Sequence, residues 1–209
     1  MLLEQKKVQS LLNTYKIAYV PTLVINNTLP SKKLKFPVVL KVDSKEVIHK
    51  SDLGLVFTNI MNLNEIGRKM KTATTILKMH GIKDYSFLIQ EMIQGTELII
   101  GMKRDKTFGP VIMLGLGGVF VEVMKDISMR IAPVSKFECY SMIEELKGKK
   151  LLSGYRGSKP VNKEKIVDIM LRLSALSLKE TNIEEIDFNP VMADDKNAVV
   201  VDARVIDGA

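Results

Sequence analysis

Two Val/Ile-rich segments, EIDFNP at 185–190 and AVVVDARV at 198–205, carry carboxylates and an amide where strands would bury apolar side chains. Side chains alternate along a strand, so Asp187 and Asn189 share one face, with Ile186 and Phe188 opposite. In the second segment Val200, Asp202 and Arg204 share a face. Pairing of the two segments would gather Asp187, Asn189 and Asp202. Converging carboxylates repel each other and lose hydration, and they stay ionised only beside a cation or strong donors. Two carboxylates and an amide oxygen, with room for water and phosphate oxygens, suit Mg2+ better than zinc. Zinc favours nitrogen and sulfur ligands, scarce in a chain with two histidines and one cysteine. The competing reading is a hairpin that turns at Asn189-Pro190 with its acids in solvent. The acids sit inside the apolar runs and not at their ends, which favours the metal.

A second group asks for an anion. In FPVVLKV at 36–42 the only polar side chain is Lys41, on the face of Val39. An ammonium there must snorkel to solvent or meet a negative partner such as phosphate; an edge-strand lysine that guards against aggregation is an equal alternative. The loop SKEVIHKSDLG at 44–54 then sets His49 beside Lys50, Ser51 and Asp52. A histidine among cationic and hydroxyl groups can transfer protons, hold phosphate oxygens or carry phosphate itself, although a lone loop histidine is more often solvated. Gly115, Gly117 and Gly118 lie between apolar runs, where they let backbone approach a ligand or permit a tight turn. Phe120 stands where a Rossmann fingerprint needs its third glycine, and no Gly-Lys-Ser/Thr follows to make a Walker A loop.

The elements that would position these groups read as α+β. A first helix keeps Val8, Leu11, Leu12 and Tyr15 on one face, and a helix over 64–79 does so with Ile66, Met70, Ala73 and Leu77, ending at His80-Gly81. Strands are expected at 22–25, 37–42, 56–60, 87–92, 98–102, 111–114, 119–123 and 128–131. Ser135 with Glu138 makes a capping box, and a helix over 163–180 buries Ile166, Ile169, Leu173 and Leu176. The 209 residues, 46% hydrophobic, suffice for two joined lobes, 1–90 and 91–209. The net charge of +7 suits a polyanionic ligand, an acidic partner or nucleic acid. The lysines fall in small groups without interleaved aromatics, which argues for solvated faces and against nucleic acid. Cys139 alone makes no internal disulfide. MLLEQKKVQS reaches charge at once, unlike a signal peptide, and the longest apolar stretch, 109–121, is too short for a membrane span, so a soluble cytoplasmic protein is expected.

FPVVLKV with HKSD, LIQEMIQGTELIIGMKRD at 88–105, FGPVIMLGLGGVFVEVMKDISMRIAPV at 108–134, LLSGYRG at 151–157, and EIDFNP with VVVDAR stand in one order. That order resembles the ATP-grasp beta subunit of ADP-forming acyl-CoA synthetases, of the acetyl-CoA synthetase type. The resemblance implies an ATP-grasp fold, with the nucleotide between two α+β lobes. Lys41 would bind a phosphate of ATP, Glu91, Met92 and Ile93 would form the hinge that meets adenine, and Glu97 would lie near the ribose. Asn189 and Asp202, with Asp187 beside them, would bind Mg2+. His49 would take phosphate from a phosphohistidine on an alpha subunit and deliver it to ADP, with Arg130 and Arg156 as further cations. The chain would then be half of a hetero-oligomeric ligase. It departs from the family pattern at Leu55, where a second glycine is usual, at 158–162, and in a short stretch between Pro21 and Phe36. Leu55 and the short stretch between Pro21 and Phe36 motivate an alternative, a regulatory subunit that binds nucleotide without turnover.

Overall fold

In the structure, a computed structural model, residues 1–26, 28–30, 33–44, 46, 53–118, 125–154 and 159–208 are described. His49, Arg156 and the strand expected at 119–123 lie outside them. The chain divides into two units, Val20–Met92 and a larger one joining Met1–Tyr19 to Ile93–Ala209. The expected boundary at 90/91 falls two residues early. Residues 1–19 correct the expected organisation, because they belong with the carboxy-terminal unit. The cause is the apolar face of helix α1 (Gln5–Thr14). Val8 and Leu12 are fully buried in the core of the larger unit, and Leu3 N–H donates to the Val205 carbonyl at 2.9 Å.

The smaller unit is a four-stranded antiparallel sheet of β1 (Thr22–Ile25), β2 (Val38–Asp43), β3 (Val56–Ile60) and β4 (Ser86–Glu91), in the order β1-β4-β2-β3. Helix α2 (Leu63–Met79) covers one face, and Ile66, Met70, Ala73 and Leu77 meet Val38, Leu40 and Val42. Its start is fixed by the Asn62 side chain, which accepts from Glu65 N–H at 3.0 Å, while the Glu65 carboxylate accepts from Met61 N–H at 2.7 Å.

The larger unit holds a six-stranded antiparallel sheet. Its strands are β5 (Thr96–Asp105), β6 (Gly109–Leu116), β7 (Ile127–Ile131), β8 (Ile183–Ala193), β9 (Ala198–Val200) and β10 (Ala203–Asp207). The order is β10-β8-β5-β6-β7, with β9 also on β8. Helices α3 (Lys136–Glu145) and α4 (Lys163–Lys179) cover one face, where Ile100, Ile112, Leu114 and Phe188 meet Ile166, Ile169, Leu173 and Leu176. The expected capping box forms at Ser135 and Glu138. Arg104 ties the end of α4 to the sheet, donating from Nη2 to the carbonyls of Ser177 (2.8 Å) and Glu180 (3.2 Å) and from Nε to that of Ile183 (3.1 Å). A cation suits this helix end, whose last carbonyls lack intrahelical donors. Arg104→Ala is therefore expected to lower unfolding free energy by about 1.5–3 kcal/mol. A denaturant midpoint checks this; an unchanged midpoint contradicts it. Among the described residues no helix is long and apolar enough to cross a membrane.

Candidate functional site

Strand β8 runs through Asn189-Pro190 without turning, so the hairpin reading of that dipeptide is excluded. The reversal comes later, where the Asp194 carboxylate accepts from Lys196 and Asn197 N–H, both at 2.7 Å. Ala203 pairs with Phe188 and Arg204 with Asp187, while Asn189 N–H donates to the Asp202 carbonyl at 3.1 Å. Asp202 therefore stands directly across from Asn189, the arrangement expected if the two segments pair. One expected neighbour is wrong. Val200 and Ala203 are both buried, so Val200 faces the core instead of sharing the face of Asp202. The pairing register keeps one count from β9 through β10, yet the inside–outside alternation breaks at Val201 and Asp202. A matching break falls on β8 between buried Phe188 and Val191.

Asp187 is half-buried on the sheet face away from α3 and α4. Its carboxyl is pushed above the ordinary value, first by desolvation, then by repulsion from Glu185 and Asp202, with Arg204 opposing. Glu185 was absent from the expected set, although its place two residues before Asp187 on one strand put it on the same face. A carboxylate that is desolvated and repelled gains from a cation, and the Asn189 amide offers a hard neutral oxygen nearby, so the donor set fits Mg2+. Among the described residues no three His, Cys, Asp or Glu side chains form a metal-holding group. A cation would thus draw on Asn189 and on oxygens from outside the chain. The set opens onto a cavity of about 520 Å3 lined by Ile99, Gly101, Met113, Met129, Glu185 and Asp187 among others.

The raised carboxyl has a consequence for stability. The folded chain retains the Asp187 proton between the ordinary carboxylate value of ~4 and the raised one, where the unfolded chain has released it. Stability without ligand therefore falls as pH rises through that window. Asp187→Asn is expected to raise neutral-pH stability without ligand by about 0.5–1 kcal/mol, flatten this fall, and reduce stabilisation by Mg-ADP. Thermal melts at acid and neutral pH, with and without Mg-ADP, check all three effects.

Lys41 is buried at 5% exposure, too little for a snorkelling ammonium. Strand β2 lies between β3 and β4, so the edge-strand alternative fails. The lysine shares the face of Val39, Leu88 and Gln90, opposite α2. Leu55, which departs from the family pattern, is fully buried and its carbonyl accepts from Val42 N–H at 3.2 Å. It is a core residue of the smaller unit, and Gly54 before it supplies the left-handed turn (φ 64°).

Glu91, Met92 and Ile93 fall at the boundary between the units. Met92 N–H is engaged by the Pro37 carbonyl at 3.1 Å, so a ligand at this strand end would have to use other backbone groups. Gly95 follows at φ 158°, where an added Cβ would lie 2.5 Å from the Ala193 oxygen. Glu97 is exposed on β5 and packs against the glycine pair. Gly117 N–H donates to the Glu97 carbonyl at 2.7 Å, and a Cβ on Gly117 would meet the Glu97 Cβ at 2.8 Å. Gly118 adopts φ 66°. Here the glycines serve both a close backbone approach, to Glu97, and a turn.

Arg130 is a correction. It pairs with Ile112 across β6 and β7, and Ile112 faces the helices, so Arg130 lies on the sheet face opposite Asp187. Its guanidinium makes a two-pronged ion pair with Glu145 of α3 (Nη1 to Oε2 at 3.1 Å, and Nη2 to Oε1), and Ser128 Oγ donates to the same carboxylate at 2.5 Å. The pair raises the Arg130 pKa and lowers that of Glu145. Arg130 therefore fastens α3 to β7.

Residues 1–206 match the ATP-grasp domain family. The chain is 42% identical over 184 residues to the acetate–CoA ligase [ADP-forming] I subunit beta of Pyrococcus furiosus, covering 84% of this chain and 77% of that one. It is also 42% identical over 181 residues to the acetate–CoA ligase [ADP-forming] I of Archaeoglobus fulgidus, covering 85% of this chain but only 26% of that longer protein. A solved acetyl-coenzyme A synthetase 1 from Ca. Korarchaeum cryptofilum is similar at a TM-score of 0.85 and 38% identity, covering 99% of this chain and 92% of that one. That structure holds coenzyme A and Mg-AMPPCP, with its phosphohistidine segment pointing towards the nucleotide binding site.

Proposed function

This chain belongs to the ATP-grasp family of ADP-forming acyl-CoA synthetase beta subunits, and we propose that it is the nucleotide-binding, phosphoryl-transferring half of an acetate– or acyl–CoA ligase. With an alpha subunit it would catalyse acyl-CoA + ADP + phosphate = acid + CoA + ATP. The observation that carries the reading is the cross-strand placement of Asn189 against Asp202, with the destabilised Asp187 carboxyl beside them. Asp187, Asn189 and Asp202 would hold Mg2+, which supplies charge neutralisation at the phosphates. Lys41 would hold a phosphate of ADP or ATP, as the resemblance to the family implies, from its buried place on the sheet face opposite α2. Glu91, Met92 and Ile93 would meet adenine through backbone groups, and Glu97 would bind the ribose. Phosphoryl transfer rests on alignment and charge neutralisation more than on covalent work by the protein. Acyl phosphate formed on an alpha subunit needs a carrier to reach ADP, and His49 would serve as the last one, with Arg156 as an added cation.

Burial of Leu55 in the core removes one motive for the inactive regulatory alternative, because that residue has a packing role. We place the enzyme in the cytoplasm, as its nucleotide substrates and its lone buried Cys139 suit. The test is to express the chain with its alpha subunit and follow ATP formation from acetyl-CoA, ADP and phosphate. The complex should make ATP and each subunit alone should not; a complex that binds Mg-ADP without making ATP would return the regulatory alternative.

A further inference from the structure

Position 101 is a glycine in the middle of a long interior strand, which costs stability relative to any residue with a side chain. Its φ does not ask for it, since Gly101 is not among the glycines at positive φ, and the backbone's one demand is the close approach of the Ile186 oxygen on β8. Space is what its missing side chain creates. Across the sheet the register aligns Arg204, Asp187, Gly101, Met113 and Met129 in one row. Gly101 is thus the floor of the 520 Å3 cavity between an acidic side, Asp187 and Glu185, and an apolar side, Met113 and Met129. A Cβ there would stand 3.0 Å from the Ile186 oxygen and 3.4 Å from Met113 Cε.

The cavity also has a direction. Glu97, the ribose candidate, pairs with Met192, and four residues further along β5, about 13 Å, Gly101 pairs with Asp187. The cavity therefore continues past the cation set, away from the ribose end of the strand. Its end beyond Gly101 carries Lys103, whose Nζ lies 3.9 Å from Glu185, and Asp105, while its side wall on β6 and β7, Val111, Met113 and Met129, is apolar and adaptable, because methionine side chains rearrange around flat groups. Such a wall is a poor host for polyphosphate, but it suits the flat face of an aromatic ring that approaches a phosphate.

We propose that Gly101 is a clearance residue for phosphoryl transfer, the floor of a chamber walled by Met113 and Met129 that admits an N-phosphorylated imidazole to the cation set. This rests on the ligase reading above. In the step served, the bond between the imidazole nitrogen and phosphorus breaks and a bond from a β-phosphate oxygen of ADP to phosphorus forms. The ring keeps the electron pair and takes one proton from water, leaving neutral imidazole and ATP.

The test uses the complex with its alpha subunit and a graded series, Gly101→Ala, Gly101→Val and, from the opposite wall, Met129→Trp. Met129 is 53% exposed, so its replacement tolerates folding even if Gly101→Val does not. ATP formation should fall along the glycine series, by about 100-fold at valine, and by about tenfold at Met129→Trp, while Mg-ADP affinity by calorimetry stays within about twofold. Acid-labile phosphate then identifies the blocked carrier: accumulation on this chain means the imidazole of His49, and retention on the alpha subunit means the partner's own. Unchanged turnover, or affinity lost in step with turnover, overturns the proposal. A wild-type complex that makes no ATP overturns the ligase reading itself, and this inference with it.

Discussion

His49→Ala should leave Mg-ADP affinity within about twofold while ATP formation by the complex falls by about a thousandfold or more. The reasoning is a separation of roles. The residues proposed for adenine, ribose, phosphate and metal are Glu91, Met92, Ile93, Glu97, Lys41, Asp187, Asn189 and Asp202, none of them in the histidine loop, so binding has no need of the imidazole. Turnover does need it, because phosphate formed on one subunit and ADP held on another meet only through a nucleophile that accepts and releases the phosphoryl group. Calorimetry and a coupled ATP assay on one preparation measure both quantities. Near-normal ATP synthesis would mean that the alpha subunit's histidine delivers phosphate directly and that His49 at most orients it.

Asp202→Asn should weaken Mg-ADP binding by roughly 10- to 100-fold. The substitution keeps size and shape, so the Asn189 N–H bond to the backbone carbonyl of residue 202 persists and the paired strands stay in register. What is lost is one negative charge facing the cation, and with it the stabilisation that bound Mg-ADP lends to folding. The shift in melting temperature on adding Mg-ADP should shrink accordingly, and unchanged affinity in a folded variant would remove Asp202 from the metal set.

Much of this site was legible in the sequence because its signals are local. Alternation alone put Asp187 and Asn189 on one face, and the Ser135–Glu138 box and the apolar stripe of α2 followed from spacings of three and four residues. What escaped depends on partners distant in the chain. Lys41 read equally well as an edge residue until strand order put β2 between β3 and β4. Arg130 looked like a free cation because Glu145 is 15 residues away on a helix that crosses behind the sheet. The first helix looked like part of the amino-terminal lobe because its apolar stripe does not say which core it fills. Val200 was misplaced because alternation assumes an unbroken strand, and the break at Val201 and Asp202 is matched by one on β8 that only pairing reveals. Gly101 carried a signal that was available but unused, a glycine inside a strand pattern.

The most direct test of the central claim, that this chain passes a phosphoryl group to nucleotide, is a pulse and chase on the complex. Labelled phosphate and acetyl-CoA are added without nucleotide, the subunits are separated under alkaline denaturing conditions, and Mg-ADP is then supplied to a parallel sample. The account predicts acid-labile label on this chain before the chase and its quantitative appearance in ATP afterwards, with discharge impaired in the Asp202→Asn complex. Label that stays on protein when Mg-ADP is added would contradict it.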